Sequence, residues 1–116
     1  MLSLLLFGPL WAQSGAQEQT DPKELEAQLA AATGRVRLDL LVELTEAYRE
    51  DDPAKAIAFG NEALELLAGT ADDHRIRVLL SLGEAHERRR EYETSLVRSE
   101  EAERLSRESG DHLGLA

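Results

Sequence analysis

Three histidines, many carboxylates and a run of arginines are the side chains of this chain best suited to chemistry. His74, His86 and His112 could bind a metal or carry a proton. A helix holds a metal with two ligands about one turn apart, and no HxxxH or HxxE spacing occurs. The carboxylates are numerous without forming a dyad. Asp51-Asp52 and Asp72-Asp73 each precede a helical stretch, where an acid caps the backbone and meets the helix dipole favourably. Arg88-Arg89-Arg90 falls at a helix end, where cations satisfy the last carbonyls. No Asp-x-Asp-x-Asp-Gly calcium loop, glycine-rich phosphate loop or nucleophile elbow is present. There is no cysteine, so disulfides, thiolate zinc sites and cysteine nucleophiles are excluded. The expectation is a chain with no catalytic residue, no cofactor and no metal.

The elements that carry these residues read as helices throughout. The 116 residues suffice for one small domain, with 42% apolar and 31% charged side chains, a globular composition. Leu, Ala, Glu and Arg dominate, and all favour helix. Asp21-Pro22-Lys23-Glu24 is a start signal, with an N-cap, a proline at the first helical position and a glutamate after it. Leu25, Leu29 and Ala32 follow, and Gly34 is expected to end that helix. Leu38, Leu41, Leu44 and Tyr48, with Leu40 and Ala47 beside them, form the next apolar face. Asp51-Asp52-Pro53 stops that helix and starts another, carrying Ala56, Ile57, Ala63, Leu64 and Leu67 to Gly69. A further helix spans about 73–89, with Ile76, Leu79, Leu80, Leu82 and Ala85. The last spans about 92–109, with Leu96, Ala102 and Leu105, and Gly110 is expected to close it.

Residues 1–17 carry no charged side chain. Leu2, Leu4, Leu5, Leu6, Phe7, Leu10 and Trp11 form a run of signal-peptide length, followed by the small residues Ser14-Gly15-Ala16. Gly8-Pro9 and its shortness prevent the run from spanning a bilayer. It reads as an export signal, which would place the mature chain outside the cytoplasm; the alternative is an apolar N-terminal segment that packs on the domain, and the chain would then be cytoplasmic. The formal net charge of −10 opposes nucleic-acid and anionic-lipid binding and suits a basic partner.

The chain also repeats itself. At an offset of 38, Leu40, Leu41, Val42 and Leu44 fall on Val78, Leu79, Leu80 and Leu82, Glu46 on Glu84, and Ala47 on Ala85. After the turn the offset is 39, with Ala56 on Ser95 and Ala63 on Ala102. The first offset carries Asp73-His74 onto Asp111-His112. Residues 21–34 thus read as an N-terminal helix, 35–70 and 71–110 as two repeats, and 111–116 as the start of a third, cut short. A longer parent protein is the expectation.

In the second repeat Leu82-Gly83 precede a turn, Tyr92 follows it, and Ser95 and Ala102 hold small positions. This pattern resembles the tetratricopeptide repeat. In the first repeat Leu44, Thr45, Ala56 and Ala63 occupy the corresponding places, with Thr45 where the glycine would be. Gly60 and Ser99 stand where the family carries an aromatic. The period exceeds the family's length of about 34 residues. It is similar to the long-helix variants that precede bacterial sensor histidine kinases and diguanylate cyclases. The resemblance implies an all-α array of antiparallel helix pairs stacked as a short superhelix. It implies protein–protein interaction, as the exported sensory or adaptor part of a signalling protein. The alternative it leaves is a fragment of such an enzyme, with catalysis beyond residue 116 and any membrane link downstream.

The family's concave surface carries over as Asp39, Val42, Glu43, Glu46, Arg49 and Glu50 from the first repeat, and Arg77, Leu80, Ser81, Glu84, Glu87 and Arg88 from the second. The implied groove is acidic at its middle, with Arg49 and Arg88 at one rim. The lysines and asparagines with which some members clamp a terminal carboxylate are missing there, so the implied partner is a basic or mixed peptide or protein.

Overall fold

Two Asp-Pro pairs begin two of the five helices among the described residues, and both aspartates act as caps. The computed structural model describes residues 21–68 and 73–112, which form helices only. Helix α1 (Pro22–Leu29) starts where the Asp21 carboxylate accepts from the Lys23 backbone N–H at 3.0 Å. It ends at Leu29, short of the expected Gly34. Leu29 is its last core-facing residue, and Arg37 of the next helix donates to the Leu29 carbonyl at 2.9 Å, satisfying an end that would otherwise need more helix. Gly34 instead opens α2 (Gly34–Tyr48) with φ +59°, a corner that suits glycine.

The expected face of α2 is the buried one, with Leu38, Leu40, Leu41, Val42, Leu44 and Thr45 inside; Ala47 alone among the residues assigned to it is exposed. Helix α3 (Pro53–Leu66) is capped by Asp52, whose carboxylate accepts from the Lys55 N–H at 3.3 Å. Helices α4 (Asp73–Arg88) and α5 (Tyr92–His112) follow. Helix α5 runs through Gly110, where no side chain or neighbouring backbone lies within 4 Å to turn the chain. A glycine there weakens the helix without ending it. Asp111 and His112, read as the start of a third repeat, are the last residues of α5. Residues 1–17, Gly69, Asp72 and 113–116 lie outside the described residues.

The second turn shows where the extra residue of the longer offset goes. Glu91 N–H donates to the His86 carbonyl at 2.8 Å and Arg90 N–H to the Glu87 carbonyl at 2.9 Å, a Schellman closure. Arg90 takes the left-handed position at φ 63°, which normally falls to glycine. Arg90→Gly is therefore expected to stabilise the protein by about 0.5–1 kcal/mol, read as a higher midpoint in urea with an unchanged slope.

Each helix packs on the one that follows, and α2 also packs on α4. Leucines from α1 and α2, Val42, Ala63 and Leu67 at the end of α3, and Val78 and Leu82 from α4 share one core. A smaller cluster of Leu79, Ala102 and Leu105 fastens α5. Leu96, assigned to the buried face of α5, is 58% exposed. Its position faces the side of the last pair on which no further helix packs among the described residues.

The internal repeat extends to contacts. Arg37 pairs with Glu62 at 2.6 Å in the first unit, and Arg75 with Glu101 at 2.8 Å in the second. The two arginines are 38 apart and the two glutamates 39 apart. The helix crossings repeat with the small residue exchanged. A Cβ on Gly60 would stand 2.6 Å from Leu82 Cδ2 and 3.1 Å from Thr45 Cγ2. One on Gly83 would meet Ser99 Oγ at 2.8 Å. Thr45 opposite Gly60 has thus become Gly83 opposite Ser99. Ser95 adds a hydrogen bond from its hydroxyl to the Gly83 carbonyl at 2.7 Å.

Helix α1 is held by more than its leucines. The Tyr48 hydroxyl donates to the Glu26 carboxylate, Lys55 Nζ reaches the same group at 3.2 Å, and the Tyr48 ring stacks on Phe59. The Tyr48 hydroxyl, then Lys55, hold the Glu26 carboxyl below its ordinary pKa, while Glu26 raises that of Tyr48. A depressed carboxyl pKa gives stability that is present above the ordinary value and fades as pH falls through the lowered one. A raised phenol pKa gives stability that is present below its ordinary value and fades as pH rises through the raised one. Melting temperature should thus fall at both the acidic and the alkaline end. Tyr48→Phe should flatten the alkaline limb and weaken the acidic one, as followed by circular dichroism across pH.

Candidate partner-binding face

The residues carried over to a groove lie on α2 and α4, which pack on each other, with Arg49 and Glu50 in the turn that follows α2. Ion pairs lace the two helices together. Arg77 Nη2 meets Glu46 Oε1 at 2.7 Å, Arg49 Nε meets Glu84 Oε2 at 2.9 Å, and Arg88 Nη2 meets Glu50 Oε1 at 3.4 Å. At the other end Asp39 lies 3.5 Å from Arg35 and 3.2 Å from His74. Glu46 holds the Arg77 guanidinium above its ordinary pKa. Such exposed pairs contribute little stability each.

This geometry changes the expected groove in two ways. Val42 and Ser81 are 1% and 4% exposed, so they belong to the core and are closed to a partner. Helix α4 covers Val42, whose cluster includes Val78 and Leu82. The acidic middle is also largely neutralised, because Glu46 and Glu84 face Arg77 and Arg49. Glu43 and Glu87 are exposed carboxylates with no ion pair among the described residues, and Leu80 is an apolar side chain on the same face.

The lacing was legible in principle. Helical spacing puts Arg77 and Arg88 along one helix and Arg49 at the end of another, but spacing within one helix does not reveal which charges meet across two. The repeated pairs Arg37–Glu62 and Arg75–Glu101 could have been found by extending the internal alignment to charged positions.

His86, which the 38-residue offset aligns with Tyr48, is buried. Its Nδ1 lies 2.8 Å from Glu91 Oε1, and this contact, ahead of Arg89, holds the Glu91 carboxyl below its ordinary pKa. His86 and Glu91, with Arg89, Ala54 and Ile57, line an open groove of about 300 Å³ between α3 and the end of α4. No group of three or more His, Cys, Asp or Glu placed to hold a metal occurs among the described residues. The arrangement is a charged surface with isolated apolar points. No family model, curated protein or solved structure matches the chain.

Proposed function

We propose that this chain is a protein-interaction scaffold of the tetratricopeptide type, binding another polypeptide across the exposed side of α2 and α4. The observation that carries this reading is the repetition of contacts as well as residues. Two successive helix pairs place Arg37–Glu62 and Arg75–Glu101 alike and exchange a glycine at the same crossing. Repeated pairs that pack on their neighbours present one continuous face, and such faces serve binding. The polar, mostly neutralised character of that face favours a partner of mixed or basic charge over nucleic acid. The apolar run at residues 2–11 supports an exported location, and the resemblance to the repeats that precede bacterial signalling enzymes supports a sensory or adaptor role.

The test is co-purification of the tagged full-length chain from its own cells, beside an Asp39→Lys/Glu43→Lys variant. Both positions are exposed, so circular dichroism should be unchanged. Specific co-purifying protein should be lost from the variant. An identical set of captured proteins from both chains would remove the support for a binding face on α2.

A further inference from the structure

The fold uses one nitrogen of the buried His86 ring and leaves the other free. Nδ1 lies 2.8 Å from Glu91 Oε1, and no described group bonds Nε2. An ionised carboxylate only accepts, so the ring proton sits on Nδ1, and in the neutral ring Nε2 is an acceptor. Among the described residues the one buried side-chain nitrogen or oxygen without a partner is Arg98 Nε. Nε2 of His86 is therefore open to solvent, in the groove that His86 lines with Ala54, Ile57, Arg89 and Glu91. Glu91 Oε2 also holds Arg89 Nε at 3.3 Å, which sets the guanidinium beside the same groove.

The groove thus joins an aliphatic wall from Ala54 and Ile57, a planar cation and a recessed hydrogen-bond acceptor. Each feature rejects some side chains. The Arg89 guanidinium repels the cations of lysine and arginine. Serine and threonine hydroxyls lie too near their own backbone to reach a recessed atom. Asparagine and glutamine would set a polar amide against the aliphatic wall. Tryptophan carries its N–H on the flank of the ring. A tyrosine meets all three features: its ring packs on Ile57 and faces Arg89, and its hydroxyl, at the far tip, donates to Nε2. We propose that this groove binds a tyrosine side chain of the partner polypeptide. Arg88, the residue before Arg89, pairs with Glu50 on the α2–α4 face, so the groove lies near the end of that face. This rests on the scaffold reading and adds one contact and its chemistry.

The probe is N-acetyl-tyrosinamide, titrated into the isotope-labelled full chain at about pH 8, above the range in which imidazole ordinarily titrates. Side-chain nitrogen NMR of the free chain should show the His86 proton on Nδ1 and a bare Nε2; a proton on Nε2 overturns the proposal. The His86 ring signals should then shift saturably. N-acetyl-phenylalaninamide, which lacks the hydroxyl, should bind about three- to tenfold more weakly. Equal binding of the two amides, or no shift from either, overturns the proposal. Ala54→Glu, a change at an exposed position, brings a carboxylate to Arg89 across the groove mouth. Its melting temperature should be unchanged and its affinity for the tyrosine amide at least about fivefold lower; unchanged affinity overturns the proposal. The two readings separate in co-purification. A partner kept by the Ala54→Glu chain and lost from Asp39→Lys/Glu43→Lys refutes the groove alone, whereas a partner set unchanged in both refutes the scaffold as well.

Discussion

Leu82→Ala is expected to destabilise the protein by about 2–5 kcal/mol, more than any other single truncation of α4. The Leu82 side chain is wholly buried and fills the notch left by Gly60, so three helices meet on it. Truncation removes its transfer energy and leaves a cavity walled by α2, α3 and α4. Those walls are fixed by their own leucines and close poorly over the gap. For a domain of this size that loss lowers the melting temperature by roughly ten degrees or more. Urea denaturation of both chains measures it. A change below about 1 kcal/mol would mean that the notch does not hold Leu82.

The second large effect concerns the exchanged crossings. Gly83→Thr places a branched side chain against Ser99, whose Oγ already stands 2.8 Å from where its Cβ would be. Overpacking of this kind costs about 1–3 kcal/mol. Adding Ser99→Gly recreates in the second unit the arrangement that Thr45 and Gly60 have in the first. The double variant should recover part of the loss, even though glycine within a helix costs about 1 kcal/mol on its own. A double-mutant cycle from thermal melts gives the coupling between the two positions. Strictly additive effects would show that the crossings are not equivalent. Gly83→Ala alone should be mild, because the exposed Ser99 hydroxyl can turn aside.

Much of this was legible in the chain because the signals were local. Asp21-Pro22 and Asp52-Pro53 start helices through a carboxylate and a fixed φ, both set within a few residues. Buried positions in α2 followed from one apolar period. Two glycines misled for a common reason. Gly34 and Gly110 were read as stops, yet one is a corner into α2 and the other is passed over, and only neighbouring structure decides between these uses. Leu96 was misplaced because periodicity reports an apolar face without saying whether a helix lies against it. Val42 and Ser81 failed as groove residues because their exposure depends on how closely α4 approaches. The exchange of Thr45 and Gly60 for Gly83 and Ser99 links positions on different helices, and no single window contains both.

The uneven core has a consequence for how the chain opens. Helix α5 is the longest, yet its buried apolar side chains are Ala102 and Leu105 alone. Its close approach to α4 at Gly83 and Ser95 brings backbones together while burying little hydrocarbon. The free energy to detach it is therefore well below that of the leucine-rich α2 and α4. Amide hydrogens of α5 should exchange with solvent first, as native-state hydrogen exchange would read residue by residue. Each such opening bares Leu79, so proteolysis should begin at the last helix, and a ligand bridging α4 and α5 would slow it.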